Sequence, residues 1–241
     1  MSEAEALQRI LDASRRVVFF GGAGVSTASG IPDFRSGGGV FSTPFGGLDP
    51  ETILSKTFFH LHPEVFFDFC RARILHPGAR PNAVHTYLAE LERSGRLTGV
   101  VTQNIDGLHR LAGSVRLFEL HGSVLENSCV ECAASFPMET VLRAQGLPRC
   151  PHCGGLIRPD ITLYGEAPPP FVRIGALRVI AEADTLIVAG TSLAVEPAAS
   201  MPDNFRGRHL VVINRTPTPL DHRAELVLRG DVAEIFAALR V

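Results

Sequence analysis

The chain has 241 residues, 45% of them hydrophobic, and a formal net charge of −2 at pH 7. This is enough apolar sequence for one large domain, alone or with a smaller one. A net charge so close to zero provides no basic field, so we do not expect nucleic acid as a partner. No stretch approaches the roughly 18 apolar residues of a membrane span, and the acidic N-terminus lacks the pattern of a secretory signal. We therefore expect a cytoplasmic protein that makes no membrane contact.

Short apolar runs alternate with helical patterns, an order typical of a parallel sheet with crossover helices. The runs are short enough for strands that are buried on both faces, and they cover residues 17–20, 99–102, 117–120, 185–189 and 209–213. Helices are predicted for residues 81–94, 171–183 and 231–239, the last with Asp231 as its N-cap. The pattern predicts a doubly wound α/β fold that binds its ligands beyond the carboxyl ends of the strands.

The first apolar run leads directly into a glycine-rich segment that begins Gly21-Gly22-Ala23-Gly24. Glycines let a backbone approach a diphosphate closely, and a helix beginning near Ser26 would direct its N–H groups at the anion. The match to a dinucleotide-binding motif is imperfect, because Thr27 stands where a third glycine is expected. Taken alone, the segment fits either a dinucleotide site or an ordinary turn between a strand and a helix.

Two segments interrupt the alternation. Residues 41–75 are rich in phenylalanine and helical in pattern, whereas residues 124–157 contain four of the five cysteines. We interpret them as one smaller domain, a helical module with a zinc ribbon, inserted into a large domain made of residues 1–40, 76–123 and 158–241.

The cysteines form two close pairs, Cys129 with Cys132 and Cys150 with Cys153. Two Cys-x-x-Cys turns at this separation are typical of a zinc ribbon, in which four thiolates close a tetrahedral shell and leave the metal a structural role. A redox dithiol or a chance pattern is the alternative. The fifth cysteine, Cys70, is expected to be a buried free thiol.

Six motifs, in order along the chain, resemble those of the sirtuin family of NAD-dependent protein-lysine deacylases. They are residues 22–35, 102–109 and 120–122, the zinc ribbon, and residues 158–166 and 190–197. The resemblance implies a Rossmann-like large domain, NAD and zinc as cofactors, and an acyl-lysine peptide in a cleft beside the NAD. By the same resemblance, the NAD-binding residues would be Gly22, Ala23, Gly24, Thr27, Asp33, Phe34, Arg35, Gln103, Asn104, Ile105, Asp106, Gly190, Thr191, Ser192, Asn214 and Val232.

His121 is the candidate catalytic base. The resemblance places it in the segment that bears the family's catalytic histidine, and it follows an apolar run at the end of a strand. A neutral imidazole suits the removal of a proton from a ribose hydroxyl, because its ordinary pKa of about 6.5 leaves it mostly unprotonated at neutral pH. The products would be nicotinamide, O-acyl-ADP-ribose and free lysine.

The acyl-lysine peptide is expected to bind as an added strand. Its contacts would come from Thr162, Tyr164, Gly165, Glu166 and Val195. The family more often has valine and phenylalanine at the positions of Thr162 and Tyr164, and the added hydroxyls leave the preferred acyl group open.

Acetyl is our first choice of acyl group, and the chain is expected to be a monomer. By the same resemblance, Arg73 stands where family members that prefer succinyl or malonyl lysine have an arginine that binds the acyl carboxylate, although Cys70 replaces their tyrosine; this leaves a desuccinylase or demalonylase as an alternative. A protein mono-ADP-ribosyltransferase is a further alternative. A module that only senses NAD or binds nucleic acid is disfavoured, because the sequence around the cysteines carries no basic stripe.

Overall fold

A computed structural model describes residues 3–241, and parallel strands form the centre of the fold. In chain order the strands are β1 (Val17–Gly21), β2 (Leu97–Thr102), β3 (Leu117–Glu119), β4 (Gly122–Cys129), β5 (Ser135–Pro137), β6 (Ile157–Ile161), β7 (Thr185–Ala189), β8 (His209–Ile213) and β9 (Leu226–Leu228). Six of them form one sheet in the order β3-β2-β1-β7-β8-β9, and every neighbouring pair in it is parallel.

Helices cover both faces of this sheet. The α-helices are α1 (Glu3–Ala13), α2 (Pro50–Ile53), α3 (Lys56–Leu61), α4 (Pro63–Phe69), α5 (Ala83–Arg93), α6 (Leu108–Leu111), α7 (Met138–Arg143), α8 (Pro170–Glu182) and α9 (Val232–Ala237). Successive side chains of a strand point to opposite faces. Phe19 of β1 packs in one core with α1, α5 and α9, and its neighbour Phe20 packs in another with α8. The doubly wound α/β prediction is confirmed.

The predicted strands are all present, because an apolar run of four or five residues suits a strand that is buried on both faces. Two of the runs, Thr185–Ala189 and His209–Ile213, have the predicted bounds. Four strands were not predicted, namely β4, β5 and β6 outside this sheet and β9, which has three residues and lies at the edge of the sheet. The three predicted helices are present within two residues at each end, and Asp231 caps α9 by accepting hydrogen bonds from the N–H groups of Ala233 and Glu234.

The predicted helix near Ser26 is wrong. The chain instead makes two single 3₁₀ turns, Ala23–Val25 and Thr27–Ser29. Gly30 ends the second turn in the left-handed conformation, with φ of 81°, and Pro32 lies just beyond it. A helix cannot continue through this combination.

The two interrupting segments share one hydrophobic core. Helices α2, α3 and α4, with the π-helical turn Cys70–Ile74, pack against the antiparallel sheet β5-β4-β6 and helix α7. Phe59, Phe66 and Val141 are among the buried residues of this core. Strands β4 and β6 extend beyond the expected limits of the smaller domain, and the division into two domains stays a prediction. Among the described residues, no helix has both the length and the apolar composition needed to cross a membrane.

Candidate functional site

A cleft opens at the carboxyl ends of the parallel strands, between the large sheet and the smaller core. The strand order of the sheet reverses between β1 and β7, and crevices at such points are the usual ligand sites of open α/β sheets. The cavity has a volume of about 520 Å³ and is lined by the segments that follow β1, β2, β6, β7 and β8. The predicted residues among its lining are Ala23, Gly24, Thr27, Asp33, Phe34, Arg35, Gln103, Asn104, Ile105, His121, Thr162, Tyr164, Gly165, Glu166, Gly190, Thr191, Ser192, Val195, Asn214 and Val232.

Three of the residues predicted to bind NAD or the substrate, Gly22, Asp106 and Arg73, do not line the cleft. A Cβ atom added at Gly22 would lie 2.6 Å from the Cβ of Thr191, and one added at Gly24 would lie 2.8 Å from the Cα of Gly190. These two glycines therefore allow the segments after β1 and β7 to pack against each other.

Asp106 lies behind the cleft in a small buried network. The hydroxyl of Ser26 donates to Oδ2 of Asp106 over 2.7 Å, and the side-chain amide of Asn104 donates to the same serine oxygen over 3.0 Å. The backbone N–H of Leu108 donates to Oδ1 of Asp106 over 2.8 Å. The network fixes the segment after β2, and it leaves the amide oxygen of Asn104 available to a ligand. Ser26 was not predicted as a site residue, because in the sequence it is one small polar residue among several.

His121 has a defined orientation in the cleft. Its Nδ1 atom lies 3.0 Å from the carbonyl oxygen of Gln103. A carbonyl oxygen only accepts hydrogen bonds, so Nδ1 carries the ring proton and Nε2 is left with its lone pair. Gly122 follows with φ of 76°, and a Cβ atom there would lie 1.9 Å from the carbonyl oxygen of Asp160. Only glycine fits this position, where β4 begins directly after His121.

Burial lowers the pKa of His121 below its ordinary value of 6.5, although the hydrogen bond to Gln103 acts in the opposite direction. The neutral ring therefore persists at a lower pH than it does in free histidine. For a reaction in which His121 acts as the base, we expect kcat/KM to fall on the acid side with a midpoint below pH 6.5, because protonation of Nε2 removes its lone pair. A pH profile of kcat/KM measures this midpoint, and a value above 6.5 would contradict the environment described.

The segments after β7 and β8 also present polar groups to the cleft. Gln103 donates its side-chain amide to the hydroxyl of Thr191 over 3.1 Å, which joins the segments after β2 and β7. Asn214 is held by bonds from its amide to Thr216. The sequence analysis missed Arg215, which also lines the cleft and forms an ion pair with Asp231. One exposed arginine among many carries no distinguishing signal in the sequence.

The segment after β6 joins the cleft to the smaller core. The backbone N–H of Tyr164 donates to the carbonyl oxygen of Leu54 over 3.0 Å, and the N–H of Lys56 donates to the carbonyl oxygen of Tyr164 over 2.9 Å. Glu166 pairs with both terminal nitrogens of the Arg158 guanidinium, each contact measuring 3.0 Å. These contacts fix the backbone on which Thr162 and Tyr164 reach the cleft.

Arg73 lies away from the cleft. Its guanidinium donates to the carbonyl oxygens of Val40, Thr43 and Pro44. It also lies over the rings of Phe45 and Phe69, at 5.5 and 5.9 Å from their centroids. With its donors occupied by a backbone segment, Arg73 anchors that segment to the π-helical turn that follows α4.

The four predicted cysteine ligands come together. Their sulfur atoms all lie within 4.8 Å of one another, with Cys129 and Cys153 3.4 Å apart and Cys132 and Cys150 3.7 Å apart. A tetrahedral zinc ion with Zn–S bonds of about 2.3 Å would separate its sulfurs by about 3.8 Å. The cluster therefore fits a closed zinc site.

Comparisons with known proteins agree with this geometry. A family model described as "Sir2 family" matches residues 22–197. An NAD-dependent protein deacetylase of Clostridium perfringens is 47% identical over 232 residues, which are 95% of each chain. A solved complex of Sir2 with a p53 peptide and NAD⁺ is 39% identical, with a TM-score of 0.84 over 98% of this chain and 96% of the other. Another, a Sir2 variant with deacetylated p53 peptide and 3′-O-acetyl ADP-ribose, is 37% identical, with a TM-score of 0.89 over 98% and 97%.

Proposed function

The chain belongs to the Sir2 family, and from that premise we propose that His121 is the base of its reaction, the NAD-dependent removal of acetyl groups from protein lysine. The enzyme is an NAD-dependent protein deacetylase, and NAD and zinc are its cofactors. The observation that carries the proposal is the hydrogen bond from Nδ1 of His121 to the carbonyl of Gln103, since it leaves Nε2 of this cleft-lining ring with its lone pair.

The residues that line the cleft suit NAD. When bound, NAD supplies a ribose carbon that accepts the acyl oxygen as nicotinamide leaves. Backbone from the segments after β1 and β7 would hold the phosphates, and Asn104 offers a free amide oxygen to a hydroxyl or carboxamide. Asn214 follows β8 at the far end, where it would meet the adenosine ribose.

His121 moves one proton in this scheme. Nε2 would accept it from a hydroxyl of the bound sugar, while the carbonyl of Gln103 would hold the proton on Nδ1 and stabilise the imidazolium. The burial that lowers the pKa of His121 keeps the ring neutral before the step. The same burial makes the proton easy to release afterwards.

The acetyl-lysine peptide would bind as an added strand between residues 164–166 and 193–196. Thr162, Tyr164 and Val195 line the cleft beside these two segments, where they would surround the acyl-lysine side chain. Backbone pairing of this kind gives affinity without a strict sequence requirement around the lysine. Solved Sir2 complexes with p53 peptides support such a site.

The cysteine cluster would hold zinc in a structural role, since four thiolates leave no open position for a substrate. We also propose a cytoplasmic location and a monomeric enzyme. None of the five cysteines forms a disulfide, and a reducing compartment keeps them reduced.

The stoichiometry of the products tests the proposed function. With NAD and an acetyl-lysine peptide, the enzyme should release nicotinamide and O-acetyl-ADP-ribose, each in equal amount to the deacetylated peptide. Mass spectrometry of the peptide and chromatography of the nucleotides give the three quantities. Transfer of ADP-ribose to protein, with the acetyl group retained, would instead indicate the mono-ADP-ribosyltransferase alternative.

Arg73→Ala tests acyl selectivity. Because Arg73 is committed to carbonyl oxygens outside the cleft, the substitution should change kcat/KM for acetyl and succinyl peptides by the same factor, leaving their ratio within about twofold. Both rates are measured with one peptide sequence, and Arg143→Ala serves as a control for the loss of an exposed arginine. A loss confined to the succinyl peptide would restore Arg73 as a ligand of an acyl carboxylate.

A further inference from the structure

Two side chains from separate segments meet at the carboxylate of Glu51. Nη2 of Arg35 lies 2.8 Å from Oε1 of Glu51, and the hydroxyl of Tyr164 lies 3.5 Å from the same oxygen. Arg35 belongs to residues 33–41, here called the cofactor loop, and Tyr164 belongs to residues 162–168, here called the peptide loop. Glu51 lies in α2 of the smaller core and bridges the two.

Glu51 is held in a defined position. It lies in the first turn of α2, where Pro50 begins the helix and the carboxylate of Asp49 accepts from the N–H of Glu51 over 3.3 Å. On one side, Asp33 accepts from the N–H of Arg35 over 3.0 Å and fixes its loop. On the other, the two backbone bonds of Tyr164 tie the peptide loop to the connection between α2 and α3.

Glu51 is placed to act through its two neighbours. Arg35 and Tyr164 line the cleft, whereas Glu51 does not. The side chains of Arg35 and Glu51 are 42% and 43% exposed, and ion pairs this exposed contribute little to stability. We therefore expect the contact to affect the relative position of the two loops and to contribute little to the stability of the fold.

The tyrosine contact can still tighten. A hydroxyl donating to a carboxylate ordinarily lies about 2.7 Å from it, and the present 3.5 Å is long. Burial, and next the charge of Glu51, raise the pKa of Tyr164, so the phenol keeps the proton it would donate. A small approach of the peptide loop toward α2 would complete the bridge.

We propose that Glu51 is a positioning residue that couples the cofactor loop to the peptide loop, so that NAD held beside Arg35 favours the peptide-binding position of Tyr164. This rests on the proposed function, in which the two loops bind the two substrates. A coupling between two sites is reciprocal, so each ligand should tighten the binding of the other by the same factor. Without the carboxylate of Glu51, the affinity for each ligand should depend little on whether the other ligand is bound.

Calorimetry on the full chain tests the coupling without turnover. The affinity for an acetyl-lysine peptide is measured with and without a carbocyclic NAD analogue whose nicotinamide bond does not break, and the ratio is the coupling factor. We expect Glu51→Gln to reduce this factor by about three- to tenfold, within the usual range of such couplings. Because the factor is a ratio, a general loss of affinity in the variant cancels.

Two further variants identify the route of the coupling. Tyr164→Phe removes only the hydroxyl and should reduce the coupling factor as well, and the double variant should be no worse than Glu51→Gln alone. Glu64→Gln is the matched control, since Glu64 is an exposed glutamate of the same helical module and forms no ion pair with any described residue. It should leave the factor unchanged.

The outcomes separate this proposal from the proposed function. A wild-type enzyme that deacetylates but shows no coupling overturns the role of Glu51, as does a Glu51→Gln variant with the wild-type factor. Additive losses in the double variant would overturn the route through Tyr164. An unmodified enzyme that binds neither the analogue nor the peptide would instead refute the proposed function itself.

Discussion

Replacing His121 with alanine is expected to lower kcat for deacetylation by about 10²- to 10⁴-fold, the usual contribution of a positioned general base. The ring is the group in the cleft whose lone pair is oriented by a backbone acceptor, through the contact of Nδ1 with the carbonyl of Gln103. Water can replace the base only poorly. The loss should therefore fall on kcat, measured at saturating NAD and peptide.

The affinity for NAD serves as the internal control for His121→Ala. The segments after β1, β7 and β8 supply most of the cofactor side of the cleft and remain intact in the variant, so the Kd for NAD should stay within about threefold. His222→Ala is the matched control, because His222 is exposed and lies outside the lining residues, and it should retain the full rate. Retention of more than a tenth of kcat in His121→Ala would show that another group takes the proton.

Loss of one zinc ligand is the second large effect. Cys129→Ser should abolish zinc binding and unfold the smaller core, because the free energy of zinc binding contributes directly to folding and amounts to about 10–16 kcal/mol in small zinc domains. Cys129 and Cys150 are themselves buried members of that core, as are Val141 and Ile157. Zinc content per chain and hydrogen exchange of residues 122–161 give the two readouts.

Cys70→Ala is the control that distinguishes the loss of a zinc ligand from the loss of a buried cysteine side chain. Cys70 is fully buried in the same core but lies outside the four-cysteine cluster. Its substitution should therefore lower the free energy of unfolding only by the small contribution of its packing. We expect one zinc per chain and nearly normal exchange. A Cys129→Ser variant that keeps its zinc and its protected amides would contradict a structural metal.

The sequence predicts the sheet well because most of its strands are buried on both faces. Such strands are unbroken apolar runs, and β7 and β8 are examples with every residue buried. The end of each run then fixes where the cleft lies, since parallel strands share a carboxyl edge. The catalytic candidate His121 and the four cysteines follow from motif and spacing in the same way.

Contacts between distant segments could not be predicted. Nothing near Ser26 in the sequence indicates that its hydroxyl binds Asp106, which is 80 residues away. Arg73 is a candidate carboxylate ligand by resemblance alone, and nothing in the sequence indicates that its guanidinium donates to three loop carbonyls. Glu51 is equally unremarkable in sequence, because its role depends on two side chains that the fold brings together.

The most direct test of this account is a crystal structure of the enzyme with the carbocyclic NAD analogue and an acetyl-lysine peptide. It measures the distance from Nε2 of His121 to the nearest ribose hydroxyl on the nicotinamide side. We predict a distance of about 3 Å, with Nδ1 still bonded to the carbonyl of Gln103. A ring turned away from the sugar, or a ribose hydroxyl paired with a different side chain, would contradict the role of His121.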